Sequence, residues 1–229
     1  MPEPSDIDKD GFQVMRGVLN TTQVDELLAA IKAMGPKEHG ARNLLLRSHE
    51  IARAARWSEL MKLVEPVIGH GAFPVRALFF DKVADANWQV SWHQDLSIAV
   101  AERVEASGFS GWSVKQGVVH VQPPAQVLES MVTLRVHLDD CDEDNGPLRV
   151  LPGSHRHGRL NDGEIERCRM ECREVTCLVP CGGVVMMRPL LLHASSPAKK
   201  PRHRRVIHIE YASSLLPEGL KWHASAAIG

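Results

Sequence analysis

Residues 131–139 alternate without a break: Val132, Leu134, Val136 and Leu138 against Thr133, Arg135, His137 and Asp139. Only an extended chain sorts such a pattern onto two faces, one apolar and one polar. The stretch RRVIHIEYA repeats it. Arg205, Ile207, Ile209 and Tyr211 share one face there, and Arg204, Val206, His208 and Glu210 share the other, more polar one. If the apolar faces pack outward against helices, Arg135 and Arg204 point into a lumen. Two strands that each carry an inward arginine suit a shared anionic ligand. A solvated polar face, as in many antiparallel sheets, is the plainer alternative.

The chain before these strands has a different period. Residues 20–34 read as a helix, with Thr22 and Asp25 resembling a capping box and Gly35-Pro36 at the end. Val24, Leu27, Leu28 and Ile31 recur there at helical spacing. Residues 48–69 carry a second helical signal, with Ser48 and Ser58 as N-caps and Leu60, Leu63, Val64 and Val67 as the apolar stripe. From residue 74 the texture is that of strands. PVRALFFDKV reads as a buried strand, with Phe79, Phe80 and the later Trp92 as core, and NWQVSWHQDL delivers His93 from a strand end. Residues 175–179 and 183–188 read as further strands, and 159–173 as a short helix. Residues 101–126 are rich in Gly, Ser, Gln and Pro and read as a long loop, a place where function often sits. Trp112, Lys115 and Gln116 in it are candidates for substrate contact, and His120 lies beside them.

Helices first, then strands with long crossing loops, predict a mainly β fold with flanking α-helices, built as a double sheet. A length of 229 residues suits one domain spanning 1–229, with N-terminal helices over about 20–69 and the β core over about 74–213.

His93-Gln94-Asp95 and the distant His193 are the metal candidates. Residues two apart on a strand share a face about 7 Å apart along the chain, and twist at a strand end can bring both to one ion. His193 follows Leu190-Leu191-Leu192, an apolar flank that limits water around a ligand. Two imidazoles and a carboxylate suit iron or manganese and leave coordination positions open. The alternative is a chance His-x-Asp with His193 as a satisfied core histidine.

The formal net charge of -1 gives no bulk attraction to nucleic acid or membrane, although Lys199, Lys200, Arg202, Arg204 and Arg205 form a local basic cluster. The acidic N-terminus has no apolar signal segment, no stretch approaches a membrane span, and the five cysteines are an odd number. A cytoplasmic setting with reduced thiols is expected. Cys168, Cys172, Cys177 and Cys181 are spaced closely for two zinc half-sites and read rather as core or surface thiols. Asp140, Asp142 and Asp144 lack the glycine and glutamate of a calcium loop.

Together, WHQD at 92–95, HLDDCDEDNGPLRVLPGSHRHG at 137–158, LLLHASSP at 190–197, RHRR at 202–205 and Asp10-Gly11-Phe12 resemble the phytanoyl-CoA dioxygenase family, a branch of the iron(II)/2-oxoglutarate-dependent oxygenases. The resemblance implies a double-stranded β-helix, or cupin-like jelly roll, with an iron triad at His93, Asp95 and His193. It places the cosubstrate's arginine at Arg204, eleven residues after His193, and a cosubstrate-touching hydroxyl at Ser195. Thr133 and Arg135 fall on the strand that lines the cosubstrate. Some relatives carry an aromatic residue near Arg135. The implied reaction uses iron(II), 2-oxoglutarate and dioxygen to oxidise a small organic molecule, with release of succinate and carbon dioxide. A carboxylate at Asp95 favours hydroxylation over halogenation. A non-catalytic jelly-roll binding protein, or a cupin-type metalloenzyme without 2-oxoglutarate, would share much of this pattern. Substrate and oligomeric state are not legible.

Overall fold

The computed structural model describes residues 6–35 and 39–224. Pro36 of the expected helix end and the first five residues of the acidic N-terminus lie outside the described residues. In chain order the elements are β1 (Phe12–Met15), α1 (Thr21–Ala33), β2 (Gly40–Ala41), α2 (Leu44–Arg47), α3 (His49–Ala54), α4 (Ser58–Ile68), β3 (Phe73–Asp81), β4 (Val90–His93), β5 (Ile98–Val100), β6 (Ser110–Lys115) and β7 (Val118–Gln122). Then follow α5 (Ala125–Glu129), β8 (Val132–His137), β9 (Leu148–Val150), a 3-10 turn at Ser154–His157, α6 (Asp162–Glu171), β10 (Val175–Cys177), β11 (Val184–Met187), β12 (His193–Ser195) and β13 (Arg205–Ala212).

The alternating strands occupy the middle of a six-stranded antiparallel sheet in the order β1-β11-β8-β13-β3-β2. Their apolar faces do what the alternation predicts. Val132, Leu134 and Val136 of β8 and Ile207, Ile209 and Tyr211 of β13 pack against Leu27, Ile51, Leu60 and Val64 of the helices. Tyr211 also donates its hydroxyl to the Ala55 carbonyl at 2.8 Å, tying the helical layer to the sheet. The opposite face looks towards a four-stranded sheet, β10-β9-β12-β4. Between the two sheets, Phe12, Leu148, Val150, Val185, Met187 and Leu191 fill one part of the interior with apolar side chains. The remaining interior is lined by the polar set described below. This is the double-stranded β-helix architecture, and the piece after Gly11 is its edge strand β1.

Three local expectations are corrected. Helix α1 is capped by Asn20, not by a Thr22–Asp25 box: the Asn20 side-chain Oδ1 accepts from the Gln23 backbone N–H, and Gln23 Oε1 accepts from the Asn20 backbone N–H, both at 3.0 Å. Asparagine outranks threonine as an N-cap, and glutamine at the third position completes the reciprocal pair. The 48–69 segment is two helices. Ser48 caps α3 through Ile51 N–H at 3.3 Å, whereas α4 has Trp57, not Ser58, at its N-cap. Between them the chain tightens into i→i+3 bonds, Arg56 to Arg53 and Trp57 to Ala54, at 3.0 and 2.9 Å. Residues 101–126 are not a loop throughout. They contain the β6–β7 hairpin, which joins β5 in a three-stranded sheet. Gln116 and Gly117 turn it with φ of 49° and 78°, the two left-handed residues that a tight two-residue hairpin turn requires.

Candidate metal and cosubstrate site

β4 and β12 are hydrogen-bonded neighbours with His93 directly opposite His193. That register stacks the two rings with centroids 4.2 Å apart. Asp95 lies just past the end of β4, its backbone N–H donating to the Pro189 carbonyl at 2.9 Å, so the chain leaves the strand with the carboxylate turned back to the rings. The Nε2 atoms of His93 and His193 stand 3.9 and 3.8 Å from the Asp95 carboxylate oxygens. Ligand atoms of all three lie within 4.8 Å of one another.

The donor set fits a divalent ion in two further respects. Each imidazole donates Nδ1–H to the carbonyl two residues back along the chain, His93 to Ser91 at 2.8 Å and His193 to Leu191 at 2.9 Å. That fixes the tautomer and leaves both Nε2 lone pairs free. Asp95 Oδ2 is buried without a hydrogen-bond partner, an orphan acceptor that a cation would satisfy. Burial alone would push the Asp95 carboxyl up, but the His193, His208 and His93 imidazoles, with Arg76, hold it well below the usual carboxylate range. Burial, only partly offset by Asp95, pushes the His193 imidazole down to about 4, so at neutral pH it is in the ligating form.

A cavity of about 190 Å³ opens beside the triad, close to the liquid volume of six waters at ≈ 30 Å³ each. Its walls include His93, Asp95, His193, Ser195, Arg135, Arg204 and His208, with Phe80, Trp88 and Leu148 as apolar lining. Arg204 immediately precedes β13 and is 3% exposed; its guanidinium donates to the Gly146 carbonyl. Arg205, one residue on, faces away and makes a two-pronged bond with Asp139 at 2.9 and 2.6 Å. Strand alternation thus separates two adjacent arginines into a lumenal and an external one. Thr133 is fully buried on β8 but lies outside the cavity walls, opposite Glu210. Of the expected core aromatics, Phe79 is core, Phe80 lines the cavity, and Trp92 is half-buried beneath Arg149, 5.3 Å from its ring centroid. Trp112, Lys115 and Gln116 belong to the hairpin and are not among the cavity walls.

Sequence reasoning missed four residues around this site. His208 sits on β13 opposite Arg135. Arg135 can only donate, so His208 Nδ1 accepts from it at 3.1 Å, and Nε2–H is left for Glu210 at 3.3 Å. Both ring nitrogens are therefore engaged, although Nε2 is only 4.0 Å from Asp95. Glu210 is also ion-paired with Arg76, and both are buried. Lys82 is fully buried and donates to Ser195 Oγ at 3.1 Å and to the Ser196 carbonyl at 2.7 Å. The four cysteines of the 168–181 stretch do not converge: Cys168 and Cys172 are half-exposed around α6, Cys177 is buried and Cys181 is exposed.

Residues 7–206 match the sequence profile of the phytanoyl-CoA dioxygenase family. The chain belongs to that family. It is therefore an iron(II)- and 2-oxoglutarate-dependent oxygenase, with dioxygen as oxidant. Curated protein sequences give no significant match. Solved structures give many. AviO1 from Streptomyces viridochromogenes Tue57 is 24% identical, with a TM-score of 0.66 over 92% of this chain and 93% of that one. EctD from S. alaskensis, crystallised with 2-oxoglutarate and 5-hydroxyectoine, is 17% identical with a TM-score of 0.70 over 90% of this chain and 73% of that one. The non-heme alpha ketoglutarate dependent epimerase SnoN from nogalamycin biosynthesis is 19% identical, with a TM-score of 0.68 over 91% of this chain and 80% of that one. At these identities the structural likeness speaks for the fold. Among the described residues no helix is long and apolar enough to cross a membrane.

One pH dependence follows for the metal-free protein. Burial holds His193 at about 4, and burial with Arg135 and Arg204 holds His137 well below 6.5. The unfolded chain then binds more protons than the native state between about pH 6.5 and 4, so stability falls as pH drops through that window. Thermal melts of metal-free protein should show the midpoint declining from pH 7 to pH 4. A flat profile would contradict the burial of these rings.

Proposed function

We propose that this oxygenase hydroxylates a small organic molecule and couples that oxidation to conversion of 2-oxoglutarate into succinate and carbon dioxide. The observation that carries the reading is one cavity with a His-Asp-His ligand set on one wall and lumenal arginines with a serine hydroxyl on another. His93, Asp95 and His193 would hold iron(II) as a facial set with positions left open. Iron supplies the oxygen chemistry, which no side chain of the protein can perform. Arg204 would grip the far carboxylate of 2-oxoglutarate by two parallel hydrogen bonds, with Ser195 and Arg135 beside it. Thr133 would support the Arg135 strand without touching the cosubstrate. Phe80, Trp88 and Leu148 give the cavity an apolar lining that would limit water around the cosubstrate.

The substrate would reach the metal from the side of the β6–β7 hairpin, which carries Trp112, Lys115 at the end of β6 and the turn residue Gln116. The chain works on this reading as a single domain, residues 1–229, on a small molecule and not on nucleic acid. A cytoplasmic setting suits its five unpaired cysteines. The test is anaerobic loading with iron(II) and 2-oxoglutarate, admission of air with a metabolite panel, and assay of succinate. Succinate above the no-iron control supports the reading. Absence of both turnover and 2-oxoglutarate binding would overturn it.

Arg204→Ala separates this reading from a metalloenzyme that ignores 2-oxoglutarate. Losing a charge-assisted pair costs about 1.5–3 kcal/mol, so the 2-oxoglutarate KM should rise about tenfold or more with iron affinity retained. Activity left unchanged by the substitution, with no dependence on 2-oxoglutarate, would favour the other metalloenzyme.

A further inference from the structure

The His93 side chain is 40% exposed and that of Asp95 23%, so the triad opens outward on their side. A second set of charges stands there. Gly40 and Ala41 of β2 lie opposite Phe80 and Phe79 of β3, so Arg42, one residue on, comes level with Leu78, a wall of the cavity. Ala41 and Phe79 belong to the core beneath the helices, and alternation therefore turns Arg42 to the lumenal side with Leu78. Arg76, two residues from Leu78 on β3, is its diagonal neighbour on that face. The β6–β7 hairpin supplies the facing side. Lys115 is paired with Val118 and Ser113 with His120, so Lys115 and His120 share one face of the hairpin. That face meets the Arg42–Arg76 diagonal, since both arginines act on Lys115 and on His120. Arg76 acts on Asp95 as well, which ties the group to the triad.

The group is positive and unbalanced. Glu210 is the carboxylate paired with Arg76. Among the described residues, neither the Arg42 nor the Lys115 side chain makes an ion pair or a hydrogen bond. Arg76 is 9% exposed, and its Nε is buried with no hydrogen-bond partner. His120 adds no charge at neutral pH, because burial, with the three cations around it, pushes its imidazole below the ordinary value. Three cations thus meet one carboxylate, and two positive charges stay unmatched. Burial, then Arg42 and Arg76, pushes the Lys115 ammonium down, and burial, then Arg76, does the same to Arg42. Gathering like charges at a partly desolvated place is costly, and the cost is relieved when an anion arrives. Arg42 is half-buried and Lys115 exposed, so their N–H groups remain open to a ligand.

That anion is not the cosubstrate. On the proposed reading 2-oxoglutarate fills the cavity between the triad and Arg204, and none of Arg42, Arg76 and Lys115 is a wall of that cavity. We propose that the substrate is a small organic anion, whose carboxylate or phosphate group is gripped by Arg42 and Lys115 on the Asp95 side of the triad, with Arg76 adding positive field behind them. The inference rests on the proposed reading of the metal and cosubstrate site. Arg42 brings a planar fork that matches either anion, and Lys115 brings a mobile point charge from the hairpin.

Nuclear relaxation tests this in protein loaded with iron(II) and saturating 2-oxoglutarate, without oxygen. Iron(II) is paramagnetic and broadens the resonances of a molecule held close to it. The probes are butyrate and butyl phosphate, with butyramide and butanol as their neutral counterparts. At least one anion should show saturable broadening, and the neutral molecules should show little. The anion that binds more tightly identifies the charged group. Arg42→Met should weaken its binding about tenfold and Lys115→Met about threefold, with 2-oxoglutarate affinity retained. Lys115→Glu should abolish it. Because Lys115 is exposed and makes no bond within the fold, its variants decide the matter even if Arg42→Met does not fold. Absence of saturable broadening by either anion overturns the inference, as do neutral probes that bind as tightly and anion binding that survives Lys115→Glu unchanged. Failure of the wild type to bind iron(II) or 2-oxoglutarate overturns the underlying site instead.

Discussion

Replacing His193 by alanine is expected to weaken iron(II) binding by at least about 100-fold and to reduce 2-oxoglutarate consumption to background. Removing even an outer partner of a metal ligand commonly costs 10–100-fold in metal affinity, and His193 is itself one of three proposed ligands. The effect should also appear in stability. An ion at 100 times its Kd stabilises a folded protein by about 2.7 kcal/mol, which at this size raises the midpoint by about 5–10 °C. The wild type should show that rise on adding iron(II) without oxygen, and His193→Ala should not. Loss of a buried ring also costs packing, since His193 is 3% exposed. The comparison is therefore each protein with and without metal, not one protein against the other. A metal-induced shift that survives the substitution would remove His193 from the ligand set.

His193 was legible because its type and flank are unusual, and Arg204 because two alternating strands fixed its face before any comparison. The same arithmetic was available for PVRALFFDKV. Reading every second residue from Arg76 gives Leu78, Phe80 and Lys82, and all four contribute to the polar interior or the cavity wall. Apolar density in that strand hid the pattern, because a strand buried on both faces loses its hydrophobic alternation. His208 and Glu210 were placed on the correct face, yet their role depends on Arg135 and Arg76 from neighbouring strands, and pairing is not written in any one segment. The β6–β7 hairpin was missed for a local reason. Gln-Gly is a weaker turn signal than Asn-Gly, although both its residues adopt the left-handed conformation. Thr133 shows the limit of face arguments. It shares the polar face of Arg135, but one strand repeat is enough to move it out of the cavity wall, to the position directly across from Glu210.

The second large effect lies in the polar interior itself. Glu210→Ala should destabilise the protein by about 3–5 kcal/mol, because it leaves the Arg76 guanidinium buried without its counter-charge. For a chain of this length that corresponds to a fall in midpoint of about 6–20 °C. The loss reports the stranded charge more than the worth of the pair. Arg76→Met combined with Glu210→Leu removes both charges and should recover most of the stability. The double variant then isolates what the pair does for the site. His208 loses the acceptor of its Nε2–H, and Asp95 loses the nearby positive charge of Arg76, while His93 and His193 keep their own Nδ1 bonds. Iron affinity should therefore fall modestly, by about 10–100-fold as for other outer partners of a ligand, in a protein that melts near the wild-type temperature. If the double variant is as unstable as Glu210→Ala, the interior depends on the ion pair for packing and not only for charge balance. If its iron affinity is unchanged, the Arg76–Glu210–His208 chain serves the fold alone, and Asp95 is oriented by its backbone bond to Pro189.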